Sequence, residues 1–168
     1  EKILEEGKAD LVAFGRVLWA DPEFPRKVAE GRIEDIVRCT RCGTCEDPPV
    51  GRPRRCRVNP AMGRESLFAI RPAEKKKKVV VIGGGPAGME TARVAALRGH
   101  DVTLFEKSSR LGGKLPLAAM IKGVEVEDVR PVIIYLTTQV GKLNIKVRLG
   151  EEATVSKILA EKPDAVVD

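Results

Sequence analysis

The chain has 168 residues, about one domain's worth at roughly 100–200 residues per domain. Its 43% hydrophobic and 32% charged residues exclude a disordered tail, a collagen-like repeat and a disulfide miniprotein. The net charge of +6 would suit nucleic acid, but the basic residues run from Lys2 to Lys162 without forming a stripe. With only four Phe, one Trp and one Tyr to stack bases, no nucleic-acid partner is expected.

No apolar run approaches the roughly 18 residues of a membrane-spanning helix, and the opening EKILEEGKAD lacks the basic flank and apolar stretch of a secretory leader. The chain reads as cytoplasmic with no membrane partner. There is no initiator Met, the first residues read as the last turns of a helix closed by Gly7, and Pro163 to Asp168 stop at a strand. The expectation is a piece of a longer polypeptide.

In chain order, the continuous apolar run Leu11 to Phe14 predicts a parallel strand buried on both faces, leading into Gly15-Arg16 and a loop. Asp21 as N-cap, Pro22 at the first position and Gly31 at the C-terminal cap predict a helix over 22–30. Residues 38–72 hold all four Cys, five Pro and many Arg with little periodicity, a loop region that needs a staple. Lys75 to Lys78 lead into Val79-Val80-Val81-Ile82, a buried strand.

From there strand and helix alternate: strand 79–82, a Gly-rich turn, helix 86–98 ending at Gly99, and strand 101–106. A helix from about Glu125 to Val140 follows, carrying Val129, Val132, Ile133, Leu136 and Val140 on one face. A strand through Ile145, Val147 and Leu149, a short helix over 154–161 and a strand at 165–167 complete the series. Alternation of this kind implies a parallel sheet. Three regions result: a strand-helix unit over 1–37, a Cys-rich segment over 38–74 and a nucleotide-binding unit over 75–168.

Cys39-x2-Cys42-x2-Cys45-x10-Cys56 uses every Cys in the chain. The first three are spaced as in bacterial ferredoxins, where a tight loop wraps three thiolates around an iron cube and the fourth comes from farther along. Zinc is one rival, although its structural sites usually show two separated knuckles; a disulfide pair or inert thiols are another, disfavoured without a secretory segment. Arg38, Arg41, Arg52, Arg54, Arg55 and Arg57 surround these ligands in sequence. Cations beside a net-negative cluster would favour its reduced form; side chains simply facing water are the competing reading.

Gly83-Gly84-Gly85-Pro86-Ala87-Gly88 contains Gly-x-Gly-x-x-Gly between a buried strand and a helix. Gly83 permits the tight turn, Gly85 lets the backbone approach a pyrophosphate and Gly88 allows close packing, while the N–H groups of Pro86-Ala87-Gly88 at the helix start, Pro86 excepted, meet phosphate charge. Glu106, ending the next strand 18 residues after Gly88, is placed to bind a ribose hydroxyl. His100 reads as a capping or solvent-facing residue and Tyr135 as packing, so no proton donor is named.

Glu106-x3-Arg110-x-Gly112-Gly113 resembles the loop of the two-dinucleotide-binding flavoproteins that covers a flavin pyrophosphate. By that resemblance the ligand is FAD, with ADP the alternative. The order of all these elements, from Gly15-Arg16 through the cysteines to the Gly-rich turn, is similar to that of the iron-sulfur flavoenzymes related to Old Yellow Enzyme, such as 2,4-dienoyl-CoA reductase, 2-enoate reductase and trimethylamine dehydrogenase.

The resemblance implies an α/β architecture: the last unit of a TIM barrel, an iron-sulfur segment, and an incomplete Rossmann-like FAD-binding sheet. Gly15 and Arg16 would meet the FMN phosphate; Cys39, Cys42, Cys45 and Cys56 would ligate a 4Fe-4S cluster; Gly83, Gly85, Pro86, Ala87, Gly88, Glu106, Arg110 and Gly113 would hold FAD. The implied enzyme is an NAD(P)H-dependent oxidoreductase relaying electrons through FAD, the cluster and FMN to the activated C=C bond of an unsaturated acid or acyl-CoA. A cluster-plus-FAD electron-transfer module serving a partner enzyme is the alternative. Two departures stand out: Lys114 follows the second glycine pair, and Gly141-Lys142-Leu143-Asn144 lacks the usual Gly before the third strand, where Asn144 would tolerate the left-handed conformation.

Overall fold

The computed structural model describes residues 2–46, 50–51 and 53–168, the side chains of 122–126 excepted; Arg52 lies outside the described residues. The N-terminal part holds short helices α1 (Lys2–Glu5), α2 (Arg16–Ala20) and α3 (Phe24–Ala29), a 3-10 turn at Ile33–Asp35 and, past the cysteines, α4 (Glu65–Phe68). The C-terminal part then runs β1 (Lys78–Ile82), α5 (Pro86–Leu97), β2 (Asp101–Glu106), α6 (Leu115–Val126), α7 (Arg130–Lys142), β3 (Ile145–Leu149), α8 (Val155–Ala160) and β4 (Ala165–Val167).

The four strands form one parallel sheet in the order β3-β2-β1-β4. Strand alternation sends Val79 and Val81 of β1 and Val102 and Leu104 of β2 to one face. There they pack with Met89 and Ala92 of α5 and Leu136 and Val140 of α7 into the core, joined by Ile145 and Val147 of β3. Tyr135 packs against this cluster, as its helical position predicts. His100 uses Nδ1 to accept the Lys77 N–H at 3.1 Å, a bond that fixes the chain entering β1. Among the described residues no helix is long and apolar enough to cross a membrane.

Five expectations need correction. Leu11 to Phe14 form no strand, and Leu11 is 89% exposed. A parallel strand exists only beside neighbours that take its N–H and C=O groups, and no strand among the described residues lies alongside. The loop expected after Gly15 is instead α2. The helix foreseen over 22–30 begins at Phe24, because the Asp21 carboxylate accepts the Glu23 N–H and Pro22 falls in the turn before it; Gly31 closes it with φ +70° as predicted.

The helix foreseen from Glu125 is two helices broken at 127–129. α6 ends at Val126, and α7 starts at Arg130 with Pro131 in its first turn, where proline's fixed φ and missing N–H cost nothing. Nor does Asn144 enter the left-handed region, which among non-glycine residues holds Arg41 and Lys162. α7 simply leaves its last turn through an extended Leu143.

Candidate functional site

Two neighbouring arrangements carry chemistry. In the first, the Gly83 N–H donates to Phe105 O at 2.8 Å, continuing the β1–β2 ladder past the end of β1, and φ +93° at Gly83 turns the chain into α5. Gly85 is the N-cap and Pro86 the first residue of the helix, with Pro86 and Ala87 exposed. Gly88 is required by contact: a Cβ there would lie 1.8 Å from Gly83 O.

The second glycine pair folds directly onto the first. Gly112 N–H donates to Gly84 O at 2.8 Å, and a Cβ on Gly113, whose φ is +54°, would come within 2.9 Å of Gly85 Cα. Side chains are thereby excluded from both walls of the turn, leaving backbone on each side. Arg110 is exposed on the same loop.

Glu106 is buried at 6% exposure beneath this turn. One carboxylate oxygen accepts the Gly84 N–H and the other the Ser108 N–H, each at 2.7 Å, which leaves lone pairs for a further donor. Burial pushes the carboxyl's pKa up, but the Ser108 N–H and hydroxyl, the Gly84 N–H and the Lys107 charge outweigh it and hold it below the usual carboxylate range. Gly84, Ser108 and Gly112 were not singled out by sequence as binding residues; the uninterrupted Gly83-Gly84-Gly85 run was the available signal for Gly84.

A depressed carboxyl stabilises the fold fully above the unfolded carboxylate's pKa, and that contribution is lost as pH falls through the folded value. Glu106→Gln is accordingly expected to cost about 1.5–3 kcal/mol at neutral pH, the range for charge-assisted bonds, and to flatten the acid limb of stability. Denaturation midpoints of both proteins across the acid range check this.

In the second arrangement Cys39, Cys42, Cys45 and Cys56 line one small pocket with Arg16, Thr40, Gly43, Arg57 and Val58. All four thiols are free. The Arg41 N–H points at Cys39 Sγ at 3.4 Å, with Arg41 in the left-handed region at φ 61°. Burial pushes the Cys45 thiol up, reinforced by the other three sulfurs. For Cys42 burial acts the same way but is outweighed by hydrogen bonds from Thr44 and Thr40 and by the Arg57 charge, so its thiol is lowered. Among the described residues no group of three or more His, Cys, Asp or Glu side chains is gathered so as to hold a metal ion.

The neighbouring segments hold this wall in place. Asp21, 2% exposed, accepts the Val37 N–H at 2.8 Å two residues before Cys39 and pairs with Lys27 at 2.7 Å. Asn59, three residues after Cys56, donates to Trp19 O at 2.9 Å. Of the surrounding arginines, Arg38 and Arg55 face solvent, whereas Arg54 turns to Cys45 O and Glu46 O and covers the Trp19 ring. Gly15 is the N-cap of the five-residue α2, and Arg16 pairs with Glu46 at 2.8 Å on the cysteine cavity. The structure therefore brings Arg16 to the cysteines and leaves it apart from the glycine turn's residues.

Residues 77–168 match the family model for pyridine nucleotide-disulphide oxidoreductase. The chain is 44% identical to an NADH oxidase of Thermoanaerobacter brockii over 99% of its own length and 26% of the relative's. It is 46% identical to a cinnamate reductase of Clostridium sporogenes over 65% of its length and 17% of the relative's. The structure of a 2-naphthoyl-CoA reductase bound to 2-naphthoyl-CoA superposes with a TM-score of 0.88 at 45% identity, covering 98% of this chain and 25% of that one. The chain thus spans about a quarter, or less, of the length of these relatives. With a parallel sheet, doubled glycine walls, a four-cysteine pocket and relatives that match up to 99% of this chain, the chain belongs to the flavoenzyme family of 2-enoate reductase and the Old Yellow Enzyme relatives.

Proposed function

We propose that this chain is the electron-relay section of an NAD(P)H-dependent iron-sulfur flavoprotein oxidoreductase that reduces an activated C=C bond in a small unsaturated acid or acyl-CoA. The observation that carries the proposal is the single cavity walled by all four cysteines. Four cysteines on one pocket suit four-thiolate ligation, and their spacing, three at bacterial-ferredoxin intervals with the fourth farther along, favours an iron-sulfur cluster over a two-knuckle zinc site. The FAD reading rests on the other arrangement: backbone-only walls and a buried acid with spare lone pairs suit the pyrophosphate and ribose of FAD.

When bound, the cofactors supply the redox chemistry, passing electrons from NAD(P)H through FAD and a 4Fe-4S cluster to FMN. The chain's own residues place them. Cys39, Cys42, Cys45 and Cys56 would hold the cluster, with the Arg41 N–H directed at one sulfur. Gly83, Gly85, Pro86, Ala87, Gly88 and Gly113 would form the FAD cradle, Glu106 would accept a ribose hydroxyl, and exposed Arg110 would meet phosphate charge. Gly15 and Arg16 would serve the FMN phosphate only by giving up the Arg16–Glu46 pair, an exposed contact of about 0–1 kcal/mol. The division into a barrel end over 1–37, a cluster segment over 38–74 and a nucleotide domain from 75 belongs to the same proposal.

The similarity to enzymes named for cinnamate and 2-naphthoyl-CoA favours an unsaturated acid or acyl-CoA as substrate. Purification of the full-length protein without oxygen, followed by flavin and iron counts, tests the assignment. Two flavins per four irons are expected, one FAD and one FMN. One flavin per four irons would mean an electron-transfer module instead, and zinc without iron would overturn the proposal.

A further inference from the structure

The wall of the cysteine cavity carries a cation whose position is set by a distant part of the chain. Arg57 follows Cys56 and lines the cavity, and its guanidinium donates to and ion-pairs with Glu127, 70 residues on. Glu127 is 3% exposed and lies in the 127–129 link between α6 and α7. The next residue, Asp128, donates its N–H to Thr40 O at 3.1 Å, and Thr40, between Cys39 and Cys42, is itself 2% exposed. The α6–α7 link is thus fastened to the cysteine loop at two points, one of them a buried carboxylate.

Arg16 is the other cation on the cavity, but its pair with Glu46 has both side chains about half exposed, an arrangement that water and salt weaken. The Arg57 side chain is also 50% exposed, but it differs in that its partner carboxylate is buried. Glu127 does not line the cavity, so the pair presents its positive end to the cysteines and its negative end away from them.

We propose that Arg57, held by Glu127, raises the reduction potential of the cluster bound by the four cysteines, with Glu127 as the positioning residue that keeps the guanidinium at the cavity wall. The inference rests on the cluster reading above. A cluster with four thiolates carries net negative charge, and reduction adds one electron to it. A fixed cation at its edge stabilises that added charge, most strongly where solvent does not screen it. No side chain is oxidised or reduced in this; the electron comes from whatever reductant is supplied, dithionite in the test below.

The test is a dithionite titration of the full-length protein, purified without oxygen and followed by electron paramagnetic resonance of the reduced cluster. Arg57→Gln is expected to move the midpoint to lower potential, and Arg57→Lys, which keeps the charge, to stay nearer the wild type. The double variant Arg57→Gln/Glu127→Gln leaves no buried unpaired carboxylate to impair folding, and its midpoint is expected between those of Arg57→Gln and the wild type. Freeing the guanidinium in Glu127→Gln should make the midpoint more sensitive to ionic strength than in the wild type. Four irons per chain with an unchanged or raised midpoint in both Arg57→Gln and the double variant would overturn the inference alone. An identical salt response in the wild type and Glu127→Gln would overturn the positioning role, and an iron-free wild type would overturn the cluster reading and this inference together.

Discussion

Gly88→Ala is expected to abolish nucleotide retention and to destabilise the nucleotide unit by more than about 3 kcal/mol, beyond the ordinary cost of overpacking. The added methyl would sit 1.8 Å from Gly83 O and 3.0 Å from Gly83 C, both main-chain atoms. Gly83 cannot yield, because its N–H is committed to Phe105 O and its φ of +93° sets the turn. Either α5 must move away from β1, opening the core around Met89 and Ala92, or the turn must unwind and lose the cradle. Gly141→Ala is the control: a Cβ there meets nothing within 4 Å, and the site is helical, so up to about 1 kcal/mol of stabilisation is expected. Flavin absorbance of the purified variants and their thermal unfolding curves separate these outcomes.

Asp21→Ala is expected to cost about 3–5 kcal/mol, the range for breaking one side of a buried pair. Its carboxylate holds the Lys27 ammonium, which is only 14% exposed, and accepts the N–H groups of Glu23 and Val37. Removing it leaves a poorly solvated cation and two unpaired donors in one place. Because Val37 is two residues from Cys39, the loss should also loosen the entry to the cysteine cavity and lower the iron content of the purified protein. Asp21→Asn keeps an acceptor but not the charge and should fall between wild type and Ala. Denaturant unfolding together with iron analysis of the three proteins checks both parts.

The nucleotide turn was legible in the sequence because every determinant is local. A short apolar strand, glycines at fixed offsets and a helix with proline at its first position fix β1, the turn and α5 within about 20 residues, and Glu106 follows at the end of the next strand. The spacing of the cysteines likewise brought four thiols to one cavity. Leu11 to Phe14 failed for the opposite reason, since an apolar run specifies burial but only neighbouring strands make it a strand. The break between α6 and α7 was readable in Pro131, which marks a helix start more firmly than the apolar periodicity running across it. Glu127 and Asp128 left no signal at all, because their importance comes from contacts with the cysteine segment 70 or more residues away.

Cys39, Cys42, Cys45 and Cys56 are expected to share one cluster. Iron and acid-labile sulfide should be counted in the full-length protein purified without oxygen, beside a Cys45→Ser variant that removes the most buried of the ligands. Four irons and four sulfides per chain, with loss of the intact cluster in the variant, are predicted; a wild-type protein free of iron, or a variant with an unaltered cluster, would contradict the account.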